Sequence, residues 1–93
     1  MRERVQRWIE KWTRSLGIKE VVETQKISRW AVINEKGGRG SSLIGITVGE
    51  GHATLLHTRK LTQEDIVHEL LHVSKPEWSE EEVRKETANL LGK

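Results

Sequence analysis

The 93-residue sequence has no cysteine, tyrosine or phenylalanine, and it has one proline and one methionine. Without cysteine the chain forms no disulfide and holds no metal through thiolates, so a metal site must use histidine and carboxylate side chains. No apolar run approaches the length of a membrane span, and the first residues, M-R-E-R-V-Q-R-W, lack the apolar region of a signal peptide. The sequence therefore predicts one small, soluble, cytoplasmic domain over residues 1–93 that has no membrane partner.

Charge is present in both signs, with 16 Lys and Arg against 14 Asp and Glu, but it is unevenly distributed. Basic residues are concentrated in residues 2–16 and glutamates in residues 77–93. A basic end can mark a nucleic-acid surface. In residues 2–16, however, the basic residues alternate with an apolar stripe at helical spacing, which favours the solvated face of an amphipathic helix. Association with nucleic acid through this helix is kept as an alternative function.

The most informative stretch is D-I-V-H-E-L-L-H-V, residues 65–73. On a helix, its four polar residues lie within an arc of about 100°, and apolar residues fill the other side. His68 and His72, four residues apart, can bind one Zn²⁺ from the same side, and Glu69 between them is placed to take a proton from a zinc-activated water. The stretch predicts a hydrolytic centre with one Zn²⁺ per chain. Structural histidines that bind no metal are the competing interpretation.

The periodicity of the sequence predicts an α+β domain. Amphipathic stretches predict three helices, over residues 2–16, 62–74 and 79–91. Between the first two helices, β-branched stretches predict three or four strands, within residues 20–34 and over residues 43–48 and 52–58. The glycine-rich residues 34–40 predict a hairpin turn between the first two strands. The expected architecture is an N-terminal helix, a small, mainly antiparallel sheet, an active-site helix and a C-terminal helix rich in glutamate.

This order of elements, with H-E-L-L-H at residues 68–72, resembles the upper subdomain of zincin metallopeptidases. More narrowly, it resembles the minimal gluzincins of thermophilic prokaryotes, which are similar to the catalytic domains of membrane-bound prenyl-protein and β-lactam-sensor peptidases. The resemblance covers roughly residues 40–91. It implies a zinc-dependent peptidase in which His68 and His72 are zinc ligands and Glu69 is the general base and acid.

The third zinc ligand is less clear from the sequence. The position six residues after His72, where metzincins supply a histidine, is Trp78, so a glutamate of the last helix is expected, as in gluzincins. Antiparallel packing of the last two helices places residue 82 or 83 opposite the metal, and Glu82 is the predicted ligand. Glu86 is the main alternative, and Glu80, Glu81 or another histidine stay open. Ser79 and Glu82 also form a capping-box pattern, which explains Glu82 without any metal.

The expected substrate is a peptide or an unfolded protein, bound as an added strand at the edge of the sheet. No second subdomain is present to form the lower wall of a cleft. The chain is therefore expected to be weakly active, to exist in a latent, self-inhibited form, or to complete its site as a homo-oligomer. A zinc-binding regulatory module without turnover is the alternative that keeps the same metal ligands.

Overall fold

The structure is a computed structural model that describes residues 2–33, 37, 38, 40 and 42–93. In chain order, its elements are α1 (Arg2–Ser15), β1 (Val21–Lys26), a short 3₁₀ turn (Arg29–Ala31), β2 (Ile44–Gly49), β3 (His52–His57), α2 (Gln63–Ser74) and α3 (Glu80–Leu90). The predicted α+β class is therefore confirmed. None of the helices in the described part of the chain combines the length and apolar character that crossing a membrane requires.

The three-stranded sheet is mixed. Its order is β1-β3-β2, with β3 parallel to β1 and antiparallel to β2. The expectation of a mainly antiparallel sheet therefore holds for one of the two strand pairs. The predicted hairpin between the first two strands is wrong, because β1 and β2 lie on opposite edges of the sheet. Of the residues between these two strands, 34–36, 39 and 41 lie outside the described residues. The hairpin instead joins β2 to β3, through a turn in which Gly51 has φ 75°.

The central helix α2 holds the core together. Its residues Ile66, Val67 and Leu70 are fully buried, and the helix contacts α1, α3 and β2. Helix α1 contributes Trp12 to the same core. The indole Nε1 of Trp12 donates a hydrogen bond to Gln63 Oε1, at the start of α2, at 2.8 Å. Because apolar burial is the main favourable term in folding, this arrangement fixes both the position of α2 and its rotation about its own axis.

Both C-terminal helices begin at capping boxes, of which the one at Ser79 has the pattern seen in the sequence. At the start of α2, the Asp65 backbone N–H donates to the Thr62 hydroxyl, and the Thr62 N–H donates to the Asp65 carboxylate. Arg59 adds two hydrogen bonds to the same carboxylate, at 2.8 and 2.9 Å. Burial alone would raise the pKa of Asp65, but the hydrogen bonds from Arg59 and Thr62 outweigh it and hold the pKa below its usual value.

Candidate metal centre

Helix α2 presents the three residues of the sequence motif on its one polar side. The side chains of His68 and His72 are 21% and 26% exposed, so each imidazole lies at the edge of the core with one side open. Glu69 lies deeper and is 9% exposed. Because the opposite side of α2 is packed into the core, both imidazoles are held on the side that faces the start of α3.

The three side chains that come together are His68, His72 and Glu80, and we call this group the candidate metal centre. The two Nε2 atoms are 3.3 Å apart. Glu80 Oε2 lies 3.2 Å from His68 Nε2, and Glu80 Oε1 lies 2.6 Å from His72 Nε2. One carboxylate therefore bridges the open sides of both imidazoles, and potential ligand atoms of all three residues lie within 4.8 Å of one another.

Glu82, the ligand chosen from the sequence, is not brought to the histidines. Its carboxylate accepts a hydrogen bond from the Ser79 backbone N–H at 3.2 Å, and its own N–H donates to the Ser79 hydroxyl. The capping box therefore accounts for the position of the Glu82 side chain. Glu86, the main alternative, accepts a hydrogen bond from Asn89 and contacts neither histidine. Within the described residues, the carboxylate that lies beside the two histidines is that of Glu80 and not that of Glu82.

The signal that would have identified Glu80 is its position on the helix. Glu80 is three residues before Val83 and seven before Thr87, the two buried residues of α3. Residues at these spacings share one side of a helix. The buried face of α3 packs against α2, so Glu80 is directed towards α2 at the height of the histidines.

Glu69 has the chemistry of a buried base. Its pKa is raised to about 7, first by burial and then by the negative charges of Glu80 and Asp65. Within the described residues, the Glu69 carboxylate makes no hydrogen bond or ion pair. In the same part of the chain, every side-chain oxygen that is fully shielded from solvent has a hydrogen-bond partner. The carboxylate oxygens therefore reach solvent, beside the candidate metal centre.

The donor set fits Zn²⁺. Two imidazole nitrogens and one carboxylate are the protein ligands of one common class of catalytic zinc site. A tetrahedral ion with bonds of about 2.0–2.1 Å requires ligand atoms about 3.3 Å apart, which matches the His68–His72 and His68–Glu80 separations of 3.3 and 3.2 Å. The 2.6 Å contact between His72 and Glu80 has the length of a charge-assisted hydrogen bond and would have to lengthen.

The hydrogen bonding of the two imidazoles differs from that of most zinc-binding histidines. A zinc-binding imidazole usually donates its second N–H to a carboxylate or a backbone carbonyl. In the described part of the chain, the Nδ1 atoms of His68 and His72 have no such partner. The direction of the two rings is set instead by the packing of α2 and by Glu80.

The other two histidines do not join the centre. His52 Nδ1 lies 3.1 Å from the Glu50 carbonyl oxygen, and His57 Nδ1 lies 2.8 Å from the Arg59 carbonyl oxygen. Both contacts are local to the ends of β3.

Comparison of the chain with protein-family models, with curated proteins and with solved structures finds no match. The chemistry open to the protein is therefore inferred from its own residues and from the geometry that brings His68, His72 and Glu80 together.

Proposed function

We propose that the protein is a zinc-dependent metallopeptidase in which His68, His72 and Glu80 hold the metal and Glu69 is the general base and acid. The observation that carries this proposal is the convergence of two imidazoles and one carboxylate, whose ligand atoms lie within 4.8 Å of one another. Beside them on α2 is Glu69, a largely buried residue whose carboxylate oxygens still reach solvent. Such a set of side chains is the one expected for a hydrolytic zinc centre.

Each protein residue has a distinct part in the proposed reaction. Zinc, when bound, would polarise the peptide carbonyl and lower the pKa of a coordinated water. Glu69 would receive one proton from the attacking water on a carboxylate oxygen and return it to the nitrogen of the leaving amine. This role is open to Glu69 because its carboxylate is not engaged by any described residue.

A peptide substrate can be placed beside this centre through the sheet. Among the described residues, strand β2 pairs with β3 alone, and it contacts α2, the helix that carries the motif. An extended peptide that added to the free edge of β2 would form backbone hydrogen bonds along the strand. We propose peptides and unfolded proteins as substrates on this basis.

The first experiment measures the zinc content of the purified protein. We expect one Zn²⁺ per chain, and we expect His68→Ala and His72→Ala to lose it, whereas His52→Ala, a change of the same size outside the centre, should keep it. Full zinc content in either His68→Ala or His72→Ala would contradict the proposed ligands.

The second experiment separates an enzyme from a zinc-binding module. Glu69→Gln keeps the size of the side chain and removes its basic oxygen, so zinc content should be kept while hydrolysis of an unfolded protein falls by about 10²–10⁴-fold. Glu81→Gln, an exposed carboxylate of α3, is the matched control and should cleave at the wild-type rate. Equal rates for zinc-loaded wild type and Glu69→Gln, including no cleavage by either, would favour the module without turnover.

A further inference from the structure

A second recess lies away from the candidate metal centre and shares no residue with it. It has a volume of about 520 Å³ and is formed by the first turns of α1, the carboxyl ends of β1 and β3, and the loop before α2. We call it the α1–sheet crevice. Its size is in the range of small-ligand pockets, about 300–1,000 Å³.

The fold builds the crevice by ending two parallel strands side by side. Lys26 and His57 are paired in the register of β1 and β3, so their side chains project from the same face of the sheet. Leu55, two residues before His57, is fully buried in the core, so this is the face that the helices cover. Beyond the covered part, Val5 and Trp8 of α1 form an apolar wall. The crevice outside the carboxyl ends of parallel strands is a common place for ligands in α/β sheets.

The charged side chains that line the crevice are all basic, beside the neutral polar side chains of Gln6 and Thr24. Arg4, Lys26 and Lys60 line it, and none of the three has an ion pair or side-chain hydrogen bond with another described residue. Among the described residues that line the crevice there is no carboxylate. His57 adds a fourth nitrogen donor or acceptor: its Nδ1 must carry the hydrogen, because its 2.8 Å neighbour is a carbonyl oxygen, and Nε2 is left for a ligand.

We propose that the α1–sheet crevice binds a mononucleotide, with the phosphate between Lys26, Lys60 and Arg4 and the base against Trp8. A carboxylate ligand would bring one negative charge to three cations, whereas a phosphate monoester brings up to two, with three acceptor oxygens. The indole of Trp8 supplies the flat apolar surface on which a base stacks. The proposal does not depend on the proposed peptidase function.

Calorimetric titration of the full chain with AMP tests the proposal. Replacing Lys26 and Lys60 together by glutamine should weaken AMP binding by at least about tenfold. The matched control, Lys19→Gln with Lys85→Gln, removes the same charge from exposed positions outside the crevice and should change the affinity by no more than about twofold. Adenosine and inorganic phosphate should each bind more weakly than AMP. Equal loss in the two double variants, or adenosine binding as tightly as AMP, would overturn the proposal.

The position of the base is tested separately by NMR. The indole N–H resonance of Trp8, identified by its loss in Trp8→Phe, should shift on addition of AMP, while that of the exposed Trp30 should not. A shift of Trp30 without a shift of Trp8 would place the ligand elsewhere. A single-stranded tetranucleotide that binds more tightly than AMP would overturn the mononucleotide assignment in favour of a nucleic-acid strand.

Discussion

Glu80 and Glu82 form a matched pair for testing the candidate metal centre, because they lie two residues apart in the first turn of α3. Glutamine at either position removes one negative charge from that turn and keeps the side-chain length. Only Glu80 contacts the histidines, at 2.6 and 3.2 Å, whereas Glu82 completes the capping box with Ser79. We expect Glu80→Gln to weaken zinc binding strongly and Glu82→Gln to leave it almost unchanged.

Both variants should remain folded, so a difference between their zinc affinities would not be due to unfolding. A negative charge in the first turn of a helix contributes about 0.3–1 kcal/mol, and glutamine at position 82 still completes a capping box. Glu80 is 57% exposed, and its pairs with partly exposed imidazoles contribute at most about 1 kcal/mol after screening by solvent. The two free energies of unfolding should therefore differ little in the absence of zinc.

The zinc affinities should differ much more. Losing a group that only orients a ligand costs about 10–100-fold, so losing a ligand should cost at least about 100-fold. A carboxylate about 10 Å from a divalent ion contributes about 0.8 kcal/mol in water without salt and about 0.3 kcal/mol at 0.1 M salt, which is less than about twofold in affinity. The ratio between the two variants should therefore exceed about 50-fold.

Thermal unfolding with added zinc reads out this difference. At a concentration 100 times the wild-type Kd, zinc should stabilise the wild type and Glu82→Gln by about 2.7 kcal/mol, or about 10–20 °C in Tm for a domain of this size. The same concentration should shift Glu80→Gln by only a few degrees. A large shift in Glu80→Gln together with none in Glu82→Gln would refute the geometric argument. Large shifts in both would show that no single carboxylate of this turn is required.

Two further predictions concern the scaffold. In Asp65→Asn, the charge held by Arg59 is lost, and the free energy of unfolding at neutral pH should fall by about 1 kcal/mol. Because the folded-state pKa of Asp65 is lowered, its contribution is present above the unfolded pKa of about 3.9 and is lost as the pH falls through the folded value. Urea unfolding should therefore show the free energies of wild type and variant converging as the pH falls below about 4, and a constant difference would exclude the charge as the cause. In Trp12→Phe, the 2.8 Å hydrogen bond to Gln63 is lost, and unfolding should become easier by about 1–2 kcal/mol. Trp30→Phe, at a site 68% exposed, is the control and should change little, whereas equal effects would refute the docking role of Trp12.

The helices could be predicted because their signals are local. The apolar stripe of α1 and the capping box at Ser79 each involve residues within a few positions of one another. The direction of His68 and His72 follows from the same local pattern, since the apolar residues around them fix the buried side of α2. Each of these predictions is confirmed.

The sheet could not be predicted as well, because its order depends on distant pairings. Strand β1 has one half-buried residue, Val22, so its sequence does not specify its neighbour. Proximity along the chain favoured a hairpin with β2. In the structure β3 takes the centre, and it carries Ala53 and Leu55, both fully buried. Burying both requires a strand on each side of β3, and the parallel pairing with β1 joins residues about thirty positions apart.

Which glutamate of α3 meets the histidines depends on the direction of its side chain around the helix axis, and not only on its position along that axis. At 100° per residue, Glu80 lies about 40° from the direction midway between the buried Val83 and Thr87. Glu82 lies about 120° away on the other side, and Glu86 about 80° away. The inward position of Val83 and Thr87 follows from the sequence, so the direction of Glu80 followed from it as well. The Glu82 carboxylate accepts from the Ser79 backbone N–H and does not contact the imidazoles on α2. The first turn of α3 therefore uses two glutamates, one to begin the helix and one to face the histidines.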